Sequence, residues 1–398
     1  MASELLTPEL VELRELAHDF GVSEIRPQVA ALETEGAFPR ALYKRMGDLG
    51  FFGCMFSEEF GGTGMGYKAL VVIAEQIAWA YPPLSACFNL QGCTVPLTIA
   101  NWGSRELAER YVPGLIAGEL LGYNGMTEPD GGSDFLGAMK TRIRRDESDY
   151  VINGAKMFIT NANVADVGIV YGKTDPEAGH KGVSALIVET EAPGFSVRRE
   201  QCRVLGALMP TTSLALQDCR VPVANLLGEE GGGFKVAMNA MDYGRLCVAA
   251  RQLGLAQACL DASLSYAQER QAFGQAIGHF QIIKQQIADM VSEVAAARFL
   301  VYHAADVYDA GQNATRESAI AKYFVGEVCN RAAQATAEIF GGYAFTDAYP
   351  ISIYLNYAKL WQTGEGSANI QRVLIADDAL GFRRMDRHQS QRAAASIK

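Results

Sequence analysis

The run Tyr150–Thr160, YVINGAKMFIT, decides how this chain is to be read. Tyr150–Asn153 and Lys156–Thr160 are short, strand-like runs on either side of Asn153-Gly154. Asn-Gly between apolar runs predicts a hairpin turn. Val167–Tyr171, Ser184–Glu189 and Ser213–Gln217 continue the same texture, with turn residues between them. Short strands at such intervals predict a small antiparallel barrel or sandwich in the middle of the chain.

Outward from that stretch the period changes. Toward the N-terminus, Glu9 to Leu32 carries Leu10, Leu13, Leu16, Ala17 and Phe20 at helical spacing. Pro39 opens a helix with Leu42, Met46 and Leu49. Tyr67 to Ala80 forms another, stopped by Pro82 and Pro83. Ser104 caps a further helix that Gly118 ends. Toward the C-terminus, Ala250–Arg270, Gln281–Gly311 and Ala314–Phe340 are long amphipathic segments that suit a helix bundle. The alanine-rich tail after Arg392 is expected to fray.

Composition narrows the function. A length of 398 residues accommodates two or three domains, and 49% apolar with 20% charged residues excludes a disordered chain. A net charge of −10 argues against nucleic acid as partner, because phosphate contacts need concentrated Lys and Arg. No window offers the roughly 20 uninterrupted apolar residues of a membrane span. The start of the sequence lacks the basic and apolar segments of a secretory signal, so a cytoplasmic protein is expected. The eight cysteines are scattered, none as CxxC, which predicts buried, reduced thiols and no zinc site.

Four constellations can carry chemistry. Tyr123–Asp134, YNGMTEPDGGSD, combines glycines with the hydroxyls of Thr127 and Ser133, and can hold a flat polar ring or an anion. A plain interdomain loop has the same composition. Arg270–Gln281, RQAFGQAIGHFQ, offers an arginine at a helix end and an aromatic before a glycine turn, a clamp for a diphosphate or a capped helical junction. Phe340-Gly341-Gly342-Tyr343 admits a phosphate or merely ends a helix. In Gly364-Glu365-Gly366-Ser367, Ser367 predicts an N-cap for a helix over Ala368–Leu380. Glu365 then stands before that helix between two glycines. In an apolar cavity its carboxyl would have a raised pKa and serve as a general base; on a surface turn it would be a solvated charge.

Taken in this order, MTEPDGGSD, INGAKMFIT, RQAFGQAIGHFQ, IFGGYAF and EGSANIQR resemble the acyl-CoA dehydrogenase family of flavoproteins over nearly the whole chain. The resemblance implies an α+β multidomain fold. An N-terminal α-helical domain would span 1–120, a middle β-barrel domain 121–232 and a C-terminal four-helix domain 233–398. It implies FAD, a homotetramer, an acyl-CoA thioester as substrate, and an electron-transfer flavoprotein as acceptor. By similarity, Met126, Thr127, Gly132 and Ser133 line the flavin or adjoining substrate. Phe158, where relatives usually carry Trp, and Thr160 lie beside the flavin ring. Arg270, Phe273 and Gln281 match residues that reach a neighbouring subunit's FAD, and Gly342, Ser367 and Asn369 match further FAD contacts. Glu338 stands where relatives often carry Gln. Asp242 and Arg245 match a pair on the CoA side.

In the same resemblance Glu365 is the catalytic base. It would remove the α-proton while the β-hydride leaves to flavin N5, with the thioester carbonyl polarised by the ribityl hydroxyl and the Glu365 N–H. The wording EGSANI and the ending ALGFRRMDR place the chain nearest the glutaryl-CoA and cyclohexanecarboxyl-CoA dehydrogenase branch. Glutaryl-type enzymes hold a distal carboxylate with an arginine on the segment that spans Ser85–Thr94 here. No Lys or Arg lies between Lys68 and Arg105. A buried carboxylate would lack its partner there, which disfavours glutaryl-CoA. Gly364 and Gly366 flank the base, and Gly364 replaces a bulky Tyr of many relatives. With Leu84, Phe88, Leu90 and Gly92 it predicts an apolar or roomy acyl cavity, best suited to an alicyclic acyl group; Gln91 is the polar residue of interest on that wall. Short-chain or glutaryl-type activity, an acyl-CoA oxidase, and a non-catalytic flavin-binding scaffold are the alternatives.

Overall fold

The structure, a computed structural model, describes residues 3–200, 202 and 208–382. The tail after Arg392, and Arg383–Arg387 of the ALGFRRMDR ending, lie outside the described residues. Helices α1 (Pro8–Phe20), α2 (Val29–Glu35), α3 (Arg40–Asp48), α4 (Tyr67–Ala80), α5 (Pro82–Ser85), α6 (Val95–Trp102) and α7 (Arg105–Ile116) come first. Strands β1 (Gly122–Gly125), β2 (Arg142–Asp146), β3 (Asp149–Thr160), β4 (Val167–Lys173), β5 (Val183–Glu189), β6 (Phe195–Arg199), β7 (Thr211–Pro222) and β8 (Leu226–Leu227) follow. Then come α8 (Gly233–Glu269), a ribbon of β9 (Gln271–Ala272) and β10 (Gln275–Ala276), α9 (Gln281–Asp309), α10 (Thr315–Phe340), α11 (Ile351–Thr363) and α12 (Ala368–Ala379). The helix–sheet–helix order is the expected one.

Proline explains two departures. The helix expected over Glu9–Leu32 breaks after Phe20 into a π-helical turn at Gly21–Ile25 and a 3-10 turn at Arg26–Gln28, where Pro27 has no N–H to donate. Pro82 does not close α4 into a loop. Tyr81 is extended, with φ −161°, and Pro82 opens α5 in the first turn, where a missing N–H costs nothing.

The sheet corrects the central expectation. Its order is β6-β7-β3-β2-β4-β5-β8, with β1 also paired to β4. The β1–β4 and β2–β4 pairs are parallel, so the sheet is mixed, and no closed barrel forms among the described residues. Asn153-Gly154 is not a turn. β3 runs straight through it along β7, with a register shift between Ile152 and Gly154. The Asn153 side chain is clasped from both ends: its Nδ2 donates to Asp218 Oδ1 at 3.0 Å, and its Oδ1 accepts from Asp218 N at 2.9 Å. That exchange absorbs the extra residue as a bulge.

The described chain forms two compact units. One comprises parts of 1–29, 67–86 and 245–385. Within it α10 packs against α9, α11 and α12, and α4 packs against α1 and α9. Asp309 caps α4, accepting from Tyr67 N at 2.6 Å and Lys68 N at 2.9 Å. The other unit comprises parts of 30–66 and 87–244 and holds the sheet with α3, α6 and α7. Among the described residues no helix is long and apolar enough to cross a membrane. All eight cysteines are thiols, seven of them buried.

Candidate active site

The loop between α11 and α12 carries the predicted base. Gly364 is extended, Glu365 has φ +54° and Gly366 has φ +84°. Ser367 caps α12, its Oγ accepting from Ile370 N at 3.4 Å. A left-handed backbone at a glutamate costs about 1–2 kcal/mol, so its surroundings must hold it. They do so through one oxygen: the Gly366 carbonyl accepts from Lys322 Nζ at 2.7 Å and from Gln371 Nε2 at 3.1 Å. Lys322 is 2% exposed. Burial pushes its pKa down to about 7; the Glu365 charge opposes that shift, and Arg245 and Arg251 add to it.

Glu365 therefore shares its surroundings in this unit with the charges of Lys322, Arg245 and Arg251. Charges are costly away from water; here Glu365 favours the charged Lys322, while Arg245 and Arg251 oppose it. Arg251, on α8, is 3% exposed. Its Nη1 donates to the Ser85 carbonyl at 3.0 Å and to the Ala86 carbonyl at 2.7 Å. The guanidinium lies 5.0 Å from the centre of the Trp361 ring, and its Nε is buried with no partner. Cys247, one turn earlier, feels both Arg251 and Glu365, and burial pushes its thiol up to about 12. Sequence reasoning missed Lys322 and Arg251. The signal for Lys322 was a charge inside the apolar stripe Ala319, Val325, Cys329 of α10.

The same unit presents an open cleft lined by Arg270, Tyr266, Phe340, Gly342 and Tyr343. Arg270 stands 5.5 Å from the Tyr343 ring, and Tyr266 stacks on Phe340 at 4.0 Å. A Cβ added at Gly341 or Gly342 would meet nothing within 4 Å. Cation, aromatic faces and bare backbone fit the diphosphate and adenine of a dinucleotide. Phe273 stands at the tip of the β9–β10 ribbon, 96% exposed at φ +51°. Gln281 and Asn369 are exposed too. Glu338 accepts from Gln286 Nε2 at 2.6 Å.

In the second unit the other predicted residues gather around β3. Between Lys156 and Ile159 its register with β7 breaks, and Phe158 takes φ +59° with its ring 62% exposed. Met157 N donates to the Thr127 carbonyl at 2.9 Å, which ties that break to the 126–134 loop. Lys156 Nζ lies 2.8 Å from Glu128 Oε1 and 3.3 Å from the Met126 carbonyl, and both side chains of the ion pair are buried. Glu128 also accepts from Thr141 Oγ1, Thr141 N and Lys140 N. Met126, Thr127 and Thr160 are half-buried, while Gly132 and Ser133 are exposed. An interrupted ladder beside an outward aromatic suits a flat ring.

The predicted acyl wall is only partly as expected. Phe88 and Leu90 are buried, but Gly92 is not roomy: a Cβ there would sit 3.4 Å from the Phe52 ring. Gln91 is fully buried, and its donors are engaged within the protein. Its Nε2 donates to Leu115 O at 2.5 Å and Leu120 O at 2.6 Å, and its Oε1 accepts from Gly122 N at 3.2 Å. Asp242 and Arg245 are buried three residues apart on α8.

Three family models match in series: the acyl-CoA dehydrogenase N-terminal domain over residues 7–119, the middle domain over 124–219 and the C-terminal domain over 231–380. The chain belongs to the acyl-CoA dehydrogenase family. Glutaryl-CoA dehydrogenase of Desulfococcus multivorans is 39% identical over 388 residues, covering 96% of this chain and 99% of that protein. The solved glutaryl-CoA dehydrogenase–glutaryl-CoA complex superposes with a TM-score of 0.92 at 37% identity, over 96% of this chain and 98% of that one. The FAD complex of PigA superposes at 0.90 with 29% identity, over 95% and 99%.

Proposed function

We propose that this acyl-CoA dehydrogenase binds FAD and introduces an α,β double bond into a compact acyl-CoA thioester, with Glu365 as the base. The observation that carries the reading is the left-handed Glu365 held between two glycines in a cationic setting. Met126, Thr127, Gly132, Ser133, Phe158 and Thr160 would hold the flavin. Arg270, Phe273, Gln281, Gly342, Ser367 and Asn369 would hold the rest of FAD, some of them from a second copy in a homotetramer. FAD, when bound, supplies the two-electron acceptor that takes the β-hydrogen with its electron pair. Glu365 takes the α-proton, and the electrons of that C–H bond become the new double bond, so the substrate loses two electrons and two hydrogens. Glu365 favours the charged form of Lys322, and by the same coupling Lys322 favours the ionised carboxylate that accepts the proton. Asp242 and Arg245 would meet the CoA portion. An electron-transfer flavoprotein would take the electrons onward, and domain boundaries near residues 120 and 232 complete the proposal.

For the acyl group, Gly364 supports a wide, alicyclic substrate such as cyclohexanecarboxyl-CoA. A second reading rests on Arg251. The sequence lacks a cation on residues 69–104, yet α8 brings one to the carbonyls of Ser85 and Ala86. That placement favours an acyl chain with a distal carboxylate, as in glutaryl-CoA. The test is anaerobic titration of the holoprotein with cyclohexanecarboxyl-, butyryl-, isobutyryl- and glutaryl-CoA, read as bleaching of the flavin. Bleaching by one ester at low concentration fixes the class. No bleaching by any ester defeats the dehydrogenase reading and leaves a flavin-binding scaffold. Rapid reoxidation by air marks an oxidase.

A further inference from the structure

We propose that Lys322 is a positioning residue for the reaction: its Nζ fixes the Gly364–Gly366 turn through the Gly366 carbonyl, and its charge favours the carboxylate form of the neighbouring Glu365. The proposal rests on the reading of Glu365 as the base.

Three observations converge on it. First, the turn is strained at Glu365 and again left-handed at Gly366, so something must over-determine it. The Gly366 carbonyl is the gripped atom, with Lys322 reaching it from α10 and Gln371 from α12. Two donors from two helices fix the peptide plane between Gly366 and Ser367 and, with it, the direction in which Glu365 leaves the chain. Second, Gln371 alone would satisfy that oxygen. A lysine at 2% exposure is a costly second donor, and an amide or hydroxyl would serve a purely structural purpose better. Third, the charge is directed. The groups that face Lys322 are Glu365 from the turn and Arg245 and Arg251 from α8. Glu365 favours the charged lysine, and such coupling is mutual, so Lys322 favours the charged glutamate by the same amount.

The role is distinct from that of the base, because the atom Lys322 grips is the Gly366 carbonyl oxygen of the loop. It predicts two separable effects. Loss of the charge lets the base protonate at higher pH, and loss of the donor lets the turn shift so that the base meets the α-hydrogen less often.

The experiment compares Lys322→Met, Lys322→Gln, Gln371→Leu and Glu365→Gln as holoenzymes. Flavin content and melting are checked first. Rates of anaerobic flavin reduction are then measured across pH with cyclohexanecarboxyl-CoA, or glutaryl-CoA if the parent prefers it. Lys322→Met is expected to keep FAD, lower the reduction rate on the order of 10–100-fold with little change in KM, and move the acid limb of the rate profile up by about one pH unit. Lys322→Gln should move the limb equally with a smaller loss of rate. Gln371→Leu should lower the rate without moving the limb. A crystal structure of Lys322→Met should show the 364–366 turn displaced. Rates within about twofold of the parent at an unmoved limb would overturn the proposal. If Lys322→Met fails to fold, Lys322→Gln decides by the same limb. If Glu365→Gln also reduces flavin at the parent rate, the base assignment has failed; if Glu365→Gln alone is dead, only the role of Lys322 has.

Discussion

The Arg251 guanidinium donates to the carbonyl oxygens of Ser85 and Ala86, which lie 166 and 165 residues before it in the chain, at 3.0 and 2.7 Å. A search along the sequence near residues 84–94 finds no cation; a search in space finds this one. Arg251→Met should therefore change substrate preference. We expect kcat/KM for glutaryl-CoA to fall at least about tenfold more than for cyclohexanecarboxyl-CoA, since a desolvated charge pair is lost in one case only. Equal losses on both esters would show that Arg251 only caps the end of α5.

The buried pair Lys156–Glu128 should be the costliest single break in the sheet unit. Burial draws the Glu128 carboxyl up, but the Lys156 charge and hydrogen bonds from Lys156, Thr141 and Lys140 outweigh it and hold the group below the usual carboxylate range. Its contribution is present above the unfolded value and is lost as pH falls through the folded one. Lys156→Met leaves that carboxylate buried without its cation and should cost about 3–5 kcal/mol in urea unfolding. Adding Glu128→Gln should restore at least part of the loss. Because Lys156 also holds the Met126 carbonyl, flavin retention should weaken in parallel; a variant with full stability and full flavin would refute this account.

Two buried lysines make stability depend on alkaline pH. Lys322 is pushed down to about 7 and Lys156 to about 8, in both cases chiefly by burial. Below those values folded and unfolded chains both hold the proton, and it is in that range, on the acid limb, that the Lys322 charge acts on Glu365. Between them and the ordinary lysine value, the unfolded chain binds a proton that the folded chain has released, so stability rises with pH. Each contributes a slope of about 1.4 kcal/mol per pH unit. Unfolding by urea from pH 7 to 9 should show a shallower rise in Lys322→Met than in the parent, by close to one proton. Parallel slopes would mean that Lys322 stays charged.

Phe273 is almost wholly exposed at the tip of a tight ribbon, at a left-handed φ, with an edge contact to Phe280 at 6.0 Å between ring centres. An aromatic ring in water is a docking element awaiting cover. Phe273→Ala should leave helix content unchanged and weaken FAD retention and self-association by about ten- to a hundredfold, the worth of one buried aromatic. Sedimentation velocity with flavin absorbance measures both at once. Unchanged assembly and flavin content would leave the ring without a role.

How much was legible in the sequence follows from what each signal reports. Tyr67–Ala80 and the Ser367 cap were read correctly, because helical spacing and capping are local. Glu365 was singled out by its two glycine neighbours, and the left-handed backbone explains why glycine follows it. Arg251 and Lys322 were missed because their meaning lies in partners on other segments. The Asn153-Gly154 pair was misread for the same reason: the local turn preference is real, but Asp218 on β7 supplies a better partner for Asn153 than a turn would.

Gly154 shows what that bulge requires. A Cβ at this position would run into Thr141 Oγ1 and sit 2.7 Å from the Thr141 Cα. Backbone cannot rotate away as a flexible side chain can, so either β3 or the segment entering β2 must move. Thr141 is also the residue whose hydroxyl and N–H bind Glu128, so the displacement would reach the 126–134 loop. Gly154→Ala is expected to cost about 1–3 kcal/mol and to loosen FAD. In a hairpin turn, the same substitution would mainly shift strand pairing at an exposed end. A crystal structure of the variant separates the two: movement of Thr141 with β3 still continuous supports the bulge, and a re-formed turn at residues 153–154 would overturn it.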